Sequence, residues 1–177
     1  QSGFTQHFYD GRTIIVIYRF EEAVKVFVHE LIHAFKYHCI MSSSFVQIGS
    51  FVCFDKTLEK KQKFDEALVE TWATLLTSDD ITKQIRFSIF QTAKILMHYN
   101  FFSFDEFWNP SSRSPRMIPN HPALFPYYIL KSAFLFQSDK FKRKFPLHDM
   151  RRCHKYTAGD IRSFIEHHAW VEQVDLC

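Results

Sequence analysis

The residues best suited to chemistry lie in one short stretch, His29-Glu30-Leu31-Ile32-His33, which has the pattern H-E-x-x-H. On an α-helix, residues four apart lie ~40° apart around the axis and ~6 Å apart along it, so the imidazoles of His29 and His33 can bind one metal ion. Glu30 lies beside them, where a carboxylate can accept a proton from a water bound to the metal. The pattern therefore predicts a site for one Zn²⁺ per chain, provided that the segment is helical.

The composition of residues 21–40 meets this condition, because neither Gly nor Pro interrupts it. Apolar residues recur at helical spacing along the segment and leave the H-E-x-x-H motif on the other side of the predicted helix. These apolar residues are Val24, Phe27, Val28, Leu31, Ile32 and Phe35. We therefore expect a helix that ends near residues 42–44, a run of three serines.

A second helix is predicted over residues 64–77, where apolar residues again recur at helical spacing. Glu66 and Glu70 are one turn apart and fall on the other side of this helix. A solvated helix face usually mixes acidic and basic residues, but this segment contains neither Lys nor Arg. The two carboxylates are therefore predicted to face the metal site rather than bulk water.

The two motifs together, HELIHAF and DEALVETWATLL, resemble those of the gluzincin metallopeptidases, the thermolysin-like zinc enzymes. In that family a motif of the form N-E-A-x-x-D follows H-E-x-x-H on a separate helix. The resemblance implies that His29, His33 and Glu66 bind zinc and that Glu30 is the general base. It also implies that Glu70 takes the place of the aspartate that holds a ligating histidine by a hydrogen bond.

This chain departs from the family pattern at Asp65, where the family has Asn, and at Glu70, where it has Asp. The stretch between the two motifs is also longer than in thermolysin-like enzymes. Because Glu66 and Glu70 lie one turn apart, an exchange of their roles stays open. The resemblance implies an enzyme that hydrolyses peptide bonds in a protein or peptide substrate.

The rest of the chain predicts one α+β domain spanning residues 1–177. Its expected form is zincin-like, with a small twisted sheet beside the active-site helix and a mainly helical C-terminal part. Strands are predicted over residues 13–20 and 45–54, and helices over 80–99, 123–137 and 157–170. A capping box at Ser103 and Glu106 opens a short helix, and residues 109–122, with four prolines, form the one clear loop.

Residues around the proline-rich loop are candidates for contacts with the substrate. His121, Tyr127 and Tyr128 are the candidates for stabilising the oxyanion of the transition state. Arg113 and Arg116 lie on the loop itself and could bind a terminal carboxylate through paired hydrogen bonds. Such binding would make the enzyme a carboxypeptidase, and its absence would leave an endopeptidase.

A basic run over residues 140–155 could bind an acidic partner, a membrane or nucleic acid, and the alternative is a solvated surface loop. With that basic run, a SprT-like protease associated with nucleic acid remains an alternative, although it would use a more distant third histidine. A metzincin is excluded, since Lys36 and Cys39 occupy positions where that class needs Gly and His. The alternative outside enzymes is a binding protein that keeps zinc for stability, but such a protein does not need Glu30.

The cysteines and the ends of the chain indicate its context. The four cysteines form no C-x-x-C pair, which favours a reduced intracellular protein, most simply a cytoplasmic one, without excluding secretion. No apolar run approaches the ~20 residues of a transmembrane helix. The start Gln1-Ser2-Gly3 is compatible with a chain cut from a larger, viral polyprotein.

Overall fold

The structure is a computed structural model that describes residues 2–35, 64–108, 124–147 and 158–167. Within these ranges the protein is mostly helical, with a two-stranded antiparallel sheet near its N-terminus. This architecture agrees with the predicted α+β class. None of the described helices is long and apolar enough to cross a membrane.

The sheet pairs β1, Gly3–His7, with β2, Thr13–Ile17, from Gly3 opposite Ile17 to His7 opposite Thr13. The connecting turn contains Gly11, whose positive φ of 84° is a conformation that glycine adopts without strain. β2 is shorter than the predicted strand over residues 13–20, because the chain turns into a 3₁₀ helix at Phe20–Glu22. β1 was not predicted, and the predicted strand over residues 45–54 lies outside the described residues.

Helix α1, Ala23–Ala34, contains the whole H-E-x-x-H motif, as predicted. Its apolar stripe does not face the interior as a whole, however, since Val24, Phe27 and Phe35 are 70%, 46% and 61% exposed. The face that carries His29 and Glu30 is the buried one. The reason is that α1 packs on the sheet and on the next described helix through this face.

That next helix, α2, spans Phe64–Thr77 as predicted and lies at the centre of the protein. Ala67, Leu68 and Val69 are completely buried, and four polar side chains of the same helix are buried as well: Glu66, Glu70, Thr71 and Thr74. The buried hydroxyls of Thr71 and Thr74 are satisfied within the helix, because they donate to the carbonyl oxygens four residues earlier. α2 can therefore be buried on both sides, with α1 against one side and the C-terminal helices against the other.

The following helices begin and end close to their predicted bounds. α3, Ile81–His98, is capped by Asp80, whose side chain accepts a hydrogen bond from the Lys83 backbone N–H at 3.0 Å. It ends before Asn100, which has a positive φ of 62°. α4, Phe104–Trp108, has the predicted cap, because the Glu106 N–H donates to Ser103 Oγ at 3.1 Å.

The predicted helix over residues 123–137 is present but contains a wider turn. A π-helix, Phe125–Leu130, leads directly into α5, Lys131–Phe136. π-helical turns are rare and occur frequently at functional sites. α6, Ser138–Lys144, and α7, Ala158–His167, complete the described helices.

Phenylalanine side chains fill the core between α2 and the C-terminal helices. Seven of them are almost completely buried: Phe101, Phe104, Phe107, Phe134, Phe141, Phe145 and Phe164. Trp72 joins α2 to this core, since its indole N–H donates to the Phe145 carbonyl oxygen at 3.0 Å. The core thereby fixes α2, and with α2 the two carboxylates that point away from the core.

Phe134 is the centre of this core, with ring centroids 5.0, 5.7 and 5.5 Å from those of Phe141, Phe145 and Phe164. We expect Phe134→Ala to lower the free energy of unfolding by about 3–5 kcal/mol, because it leaves a cavity. Phe87→Ala is the control, since Phe87 is 58% exposed and its removal should change stability by about 0.5 kcal/mol or less. Denaturant unfolding monitored by circular dichroism measures both, and equal effects would contradict this description of the core.

Candidate metal centre

The site is built where α1 and α2 pack against each other in opposite directions. Lys25, His29 and His33 follow one another at four-residue intervals on α1, so they form one row along its buried face. The row faces two carboxylates on α2. Lys25 contacts Glu70, His29 contacts both carboxylates, and His33 contacts Glu66. This antiparallel match places two imidazoles beside Glu66.

Three atoms with lone pairs converge between these side chains. His29 Nε2 and His33 Nε2 are 3.1 Å apart, and Glu66 Oε2 lies 3.3 Å from the first and 3.6 Å from the second. A tetrahedral zinc ion with bonds of about 2.0–2.1 Å keeps its ligand atoms about 3.3–3.4 Å from one another. The three atoms therefore have the spacing of three zinc ligands. Within the described residues they form the one group of three or more His, Cys, Asp or Glu side chains suited to a metal ion.

The convergence requires a positive charge between the atoms. His29 Nδ1 lies 3.1 Å from Glu70 Oε2, and a hydrogen bond to this carboxylate leaves Nε2 with a lone pair when the ring is neutral. A bare Nε2 and the Glu66 carboxylate would then repel each other at 3.3 Å. Either a proton or a metal ion removes the repulsion, and the two compete for the same place.

The pKa shifts of His29 and Glu66 reflect the same need for a positive charge. Burial by itself lowers the pKa of His29, but the hydrogen bonds with Glu66 and Glu70 outweigh it and raise the pKa to about 9. Burial alone would raise the pKa of Glu66, but hydrogen bonds from His29, His33 and Tyr127 hold it far below its usual range. The cluster therefore keeps an ionised carboxylate and attracts a cation.

Tyr127, on the π-helix, orients Glu66. Its hydroxyl donates to Glu66 Oε2 at 2.6 Å, and its ring stacks on that of His29 at an angle of 16°. Burial and the charge of Glu66 raise the pKa of Tyr127, so the phenol stays protonated and keeps donating. A carboxylate oxygen that accepts this hydrogen bond still has a second lone pair for a metal ion.

Glu70 is the meeting point of three cationic or donor groups. Lys25 Nζ and Lys131 Nζ lie 2.6 and 2.9 Å from Oε1, while Oε2 faces His29 Nδ1. Burial alone would raise the pKa of Glu70, but the hydrogen bond with His29 and the charges of Lys131 and Lys25 lower it. Burial lowers the pKa of Lys131, and the neighbouring Glu70 charge opposes this shift. Glu70 is thus held as a charged acceptor behind His29.

Glu30 is buried between α1 and the sheet. Thr5 on β1 lies within hydrogen-bond distance of its carboxylate, with Oγ1 2.8 Å from Oε2. The Glu30 charge also contributes to raising the pKa of Tyr127, so the carboxylate acts on the same site as the three converging atoms. The motif glutamate is therefore a buried carboxylate on the helix that carries the two histidines.

The structure brings together most, but not all, of the predicted residues. His29, His33, Glu66, Glu70 and Tyr127 form one connected cluster in which each of the others contacts His29. Tyr128 is 40% exposed, and its backbone carbonyl oxygen accepts from Thr92 on α3. His121, Arg113 and Arg116 lie outside the described residues. Two histidines outside the motif, His98 on α3 and His167 on α7, are exposed.

Three further residues were not predicted from the sequence. Lys25 could have been predicted from its spacing, because it lies one turn before His29 on the same helix face. Lys131 follows Tyr127 by four residues, but nothing in the sequence marks its partner on α2. Thr5 lies on a strand that is too short and too polar to be recognised from its pattern of residues.

No family model, curated protein or solved structure matches this chain.

Zinc should bind at close to one ion per chain, with two nitrogen ligands and one carboxylate ligand from the protein at about 2.0–2.2 Å. Glu66→Gln removes the anionic ligand and should weaken zinc binding strongly, whereas Glu21→Gln, on the exposed start of the α1 region, should leave it unchanged. Competition with a chromophoric chelator measures the affinity, and X-ray absorption measures the ligand set. Equal zinc affinity in both variants would reject the assignment of Glu66.

Glu70→Gln should weaken zinc binding by about 10–100-fold, less than loss of a ligand, because the amide holds His29 less firmly. It should also destabilise the fold by about 3–5 kcal/mol, because Lys131 then remains buried without the carboxylate to which it donates. Adding Lys131→Met should restore stability without restoring zinc affinity. If Glu70→Gln abolished binding while Glu66→Gln spared it, the two glutamates would have exchanged roles.

Proposed function

We propose that the protein is a zinc-dependent peptidase that uses Glu30 as general base and His29, His33 and Glu66 as metal ligands. The observation that carries the proposal is the triangle formed by His29 Nε2, His33 Nε2 and Glu66 Oε2, with sides of 3.1, 3.3 and 3.6 Å. A catalytic zinc site uses three protein ligands and keeps a fourth position for water. The three atoms supply that number and that spacing.

The presence of Glu30 separates this proposal from a purely structural zinc site. Structural zinc is usually closed by four protein ligands, and it has no use for an additional buried carboxylate. Burying a carboxylate is costly, so a buried glutamate beside the three ligand atoms favours a chemical role. Glu30 is 6% exposed and lies next in sequence to His29.

A zinc ion held by His29, His33 and Glu66 would act as a Lewis acid, which would polarise the carbonyl of the scissile peptide bond and make a water molecule more acidic. Glu30 accepts a proton from the attacking water and later transfers it to the leaving amine. Glu70 keeps the His29 Nδ1 proton in place, so that Nε2 remains available as a ligand. Tyr127 has a single O–H, which it donates to Glu66, so we assign it to orienting this ligand rather than to stabilising the oxyanion.

The proposal also includes a zincin-like arrangement, in which the sheet flanks the active-site helix. Its support is that α1 packs on both strands through the face that carries the motif. A role of the basic run 140–155 in binding an acidic partner stays a prediction. On α6 part of its charge is already balanced, since Lys142 pairs with Asp139 and Lys144 with Asp160.

Glu30→Gln should retain the fold and bind zinc, yet lose about 10²–10⁴-fold in peptide turnover, because the amide cannot accept the proton. Cleavage of a peptide library by zinc-loaded protein, analysed by mass spectrometry, measures the turnover. Glu21→Gln is the matched control and should keep full activity. Binding of zinc without any cleavage by the unmodified protein would replace the enzyme with a zinc-stabilised binding protein.

The same library distinguishes the two substrate modes. Paired substrates with free and amidated C-termini should be cleaved equally by an endopeptidase, whereas a carboxypeptidase would cleave only the free form well. A carboxylate-binding role of Arg113 or Arg116 predicts that amidation lowers kcat/KM and that Arg113→Ala or Arg116→Ala removes this difference.

A further inference from the structure

Thr5 makes a contact that binding of a metal ion does not require. Its Oγ1 lies 2.8 Å from Glu30 Oε2 and 2.9 Å from the Glu30 backbone carbonyl oxygen. A carbonyl oxygen within a helix has a second lone pair besides the one that accepts the helical N–H, so it can accept this hydroxyl too. One threonine therefore faces both the backbone and the carboxylate of the proposed base.

Gly3 makes this contact possible. Residues 3 and 5 of a strand point to the same side, and this side of β1 faces α1. A Cβ atom at Gly3 would lie only 2.7 Å from the Val16 carbonyl oxygen and 2.7 Å from Val26 Cγ1, and 3.4 Å from Glu30 Oε1. The strand can approach the helix this closely because residue 3 has no side chain. Glu30 Oε2 can consequently reach Thr5 on β1.

We propose that Thr5 is the positioning residue for Glu30, an inference that rests on the proposed role of Glu30 as general base. While the carboxylate is charged, the Thr5 hydroxyl donates to Oε2 at 2.8 Å. The same hydroxyl lies 2.9 Å from the Glu30 backbone carbonyl oxygen, so Thr5 contacts both the backbone and the side chain of this residue. Glu30 Oε2 therefore has a hydrogen-bond donor in its buried position, and this donor holds the carboxylate at β1.

The proposed reaction needs no proton donor or acceptor other than Glu30. The proton that Glu30 takes from the water is the one that it gives to the leaving amine, and Thr5 neither gains nor loses a proton. Its contribution is to keep the carboxylate in one orientation during the uptake and the release of the proton.

Kinetics of three threonine variants test this role. Thr5→Val keeps the shape but removes the hydroxyl, and it should lower kcat by about tenfold, less than loss of Glu30 itself, with KM and zinc affinity changed by about twofold or less. Thr5→Ser restores the hydroxyl and should return kcat to within about threefold of the unmodified value. Thr13→Val is the control on β2, because the Thr13 hydroxyl contacts His7 instead.

A double substitution separates positioning from a general structural effect. In the Glu30→Gln background Thr5→Val should cause no further loss of kcat, since there is no base left to position. A second measurement needs no activity and no metal. In the metal-free protein, Thr5→Val and Glu30→Leu should be coupled by about tenfold in the unfolding equilibrium constant, as expected for a hydrogen bond to a charged group.

Full kcat in a folded Thr5→Val variant would overturn the inference, and so would a loss of kcat that parallels a loss of zinc affinity. Failure of the proposed function has a different signature. If the unmodified protein cleaved no peptide while the coupling in the metal-free protein persisted, the contact would stand but Glu30 would not be a base. Activity without coupling would instead retain the peptidase and remove Thr5 from its mechanism.

Discussion

Two buried carboxylates on one helix, Glu66 and Glu70, are the constraint on which the packing around the site depends. Removing a carboxylate from water costs several kcal/mol unless cations or hydrogen-bond donors surround it. Among the described residues, the cations and donors that surround these two carboxylates lie on other elements. They come from α1 on one side and from the π-helix and α5 on the other.

On both sides of α2, the residues that contact these carboxylates are spaced four apart in the sequence. On α1, Lys25 and His33 lie one turn to either side of His29, and on the other side of α2 the residues Tyr127 and Lys131 are four apart. Glu66 and Glu70 are also four residues apart, so each neighbouring helix meets both carboxylates at once. A slip of either helix by one residue would remove several of these contacts together. The register of the three elements is thereby determined by charge as well as by apolar packing.

The two carboxylates have different surroundings, and this difference favours different roles at the proposed metal site. Two ammonium groups and the Nδ1 atom of His29 lie against Glu70, and they donate hydrogen bonds to its carboxylate. Glu66 is met by one phenol and by the Nε2 atoms of two imidazoles. The Nε2 atom of His29 is bare when its ring is neutral and Nδ1 carries the proton toward Glu70. A cation completes the second arrangement and is not needed by the first. This difference favours Glu66 over Glu70 as the ligand.

The sequence by itself determined the local features: the helices that carry H-E-x-x-H and the two glutamates, the cap of α4, and the proximity of His29, Glu30 and His33. These follow from helical periodicity, which acts over a few residues. Only the tertiary structure decided which face of α1 is buried, because Val24 and Phe27 look like core residues until α2 occupies the opposite face. It also decided the contacts of Lys131 with Glu70 and of Thr5 with Glu30, which join residues 61 and 25 positions apart. Such contacts depend on the packing of separate elements, and no local pattern of residues encodes them.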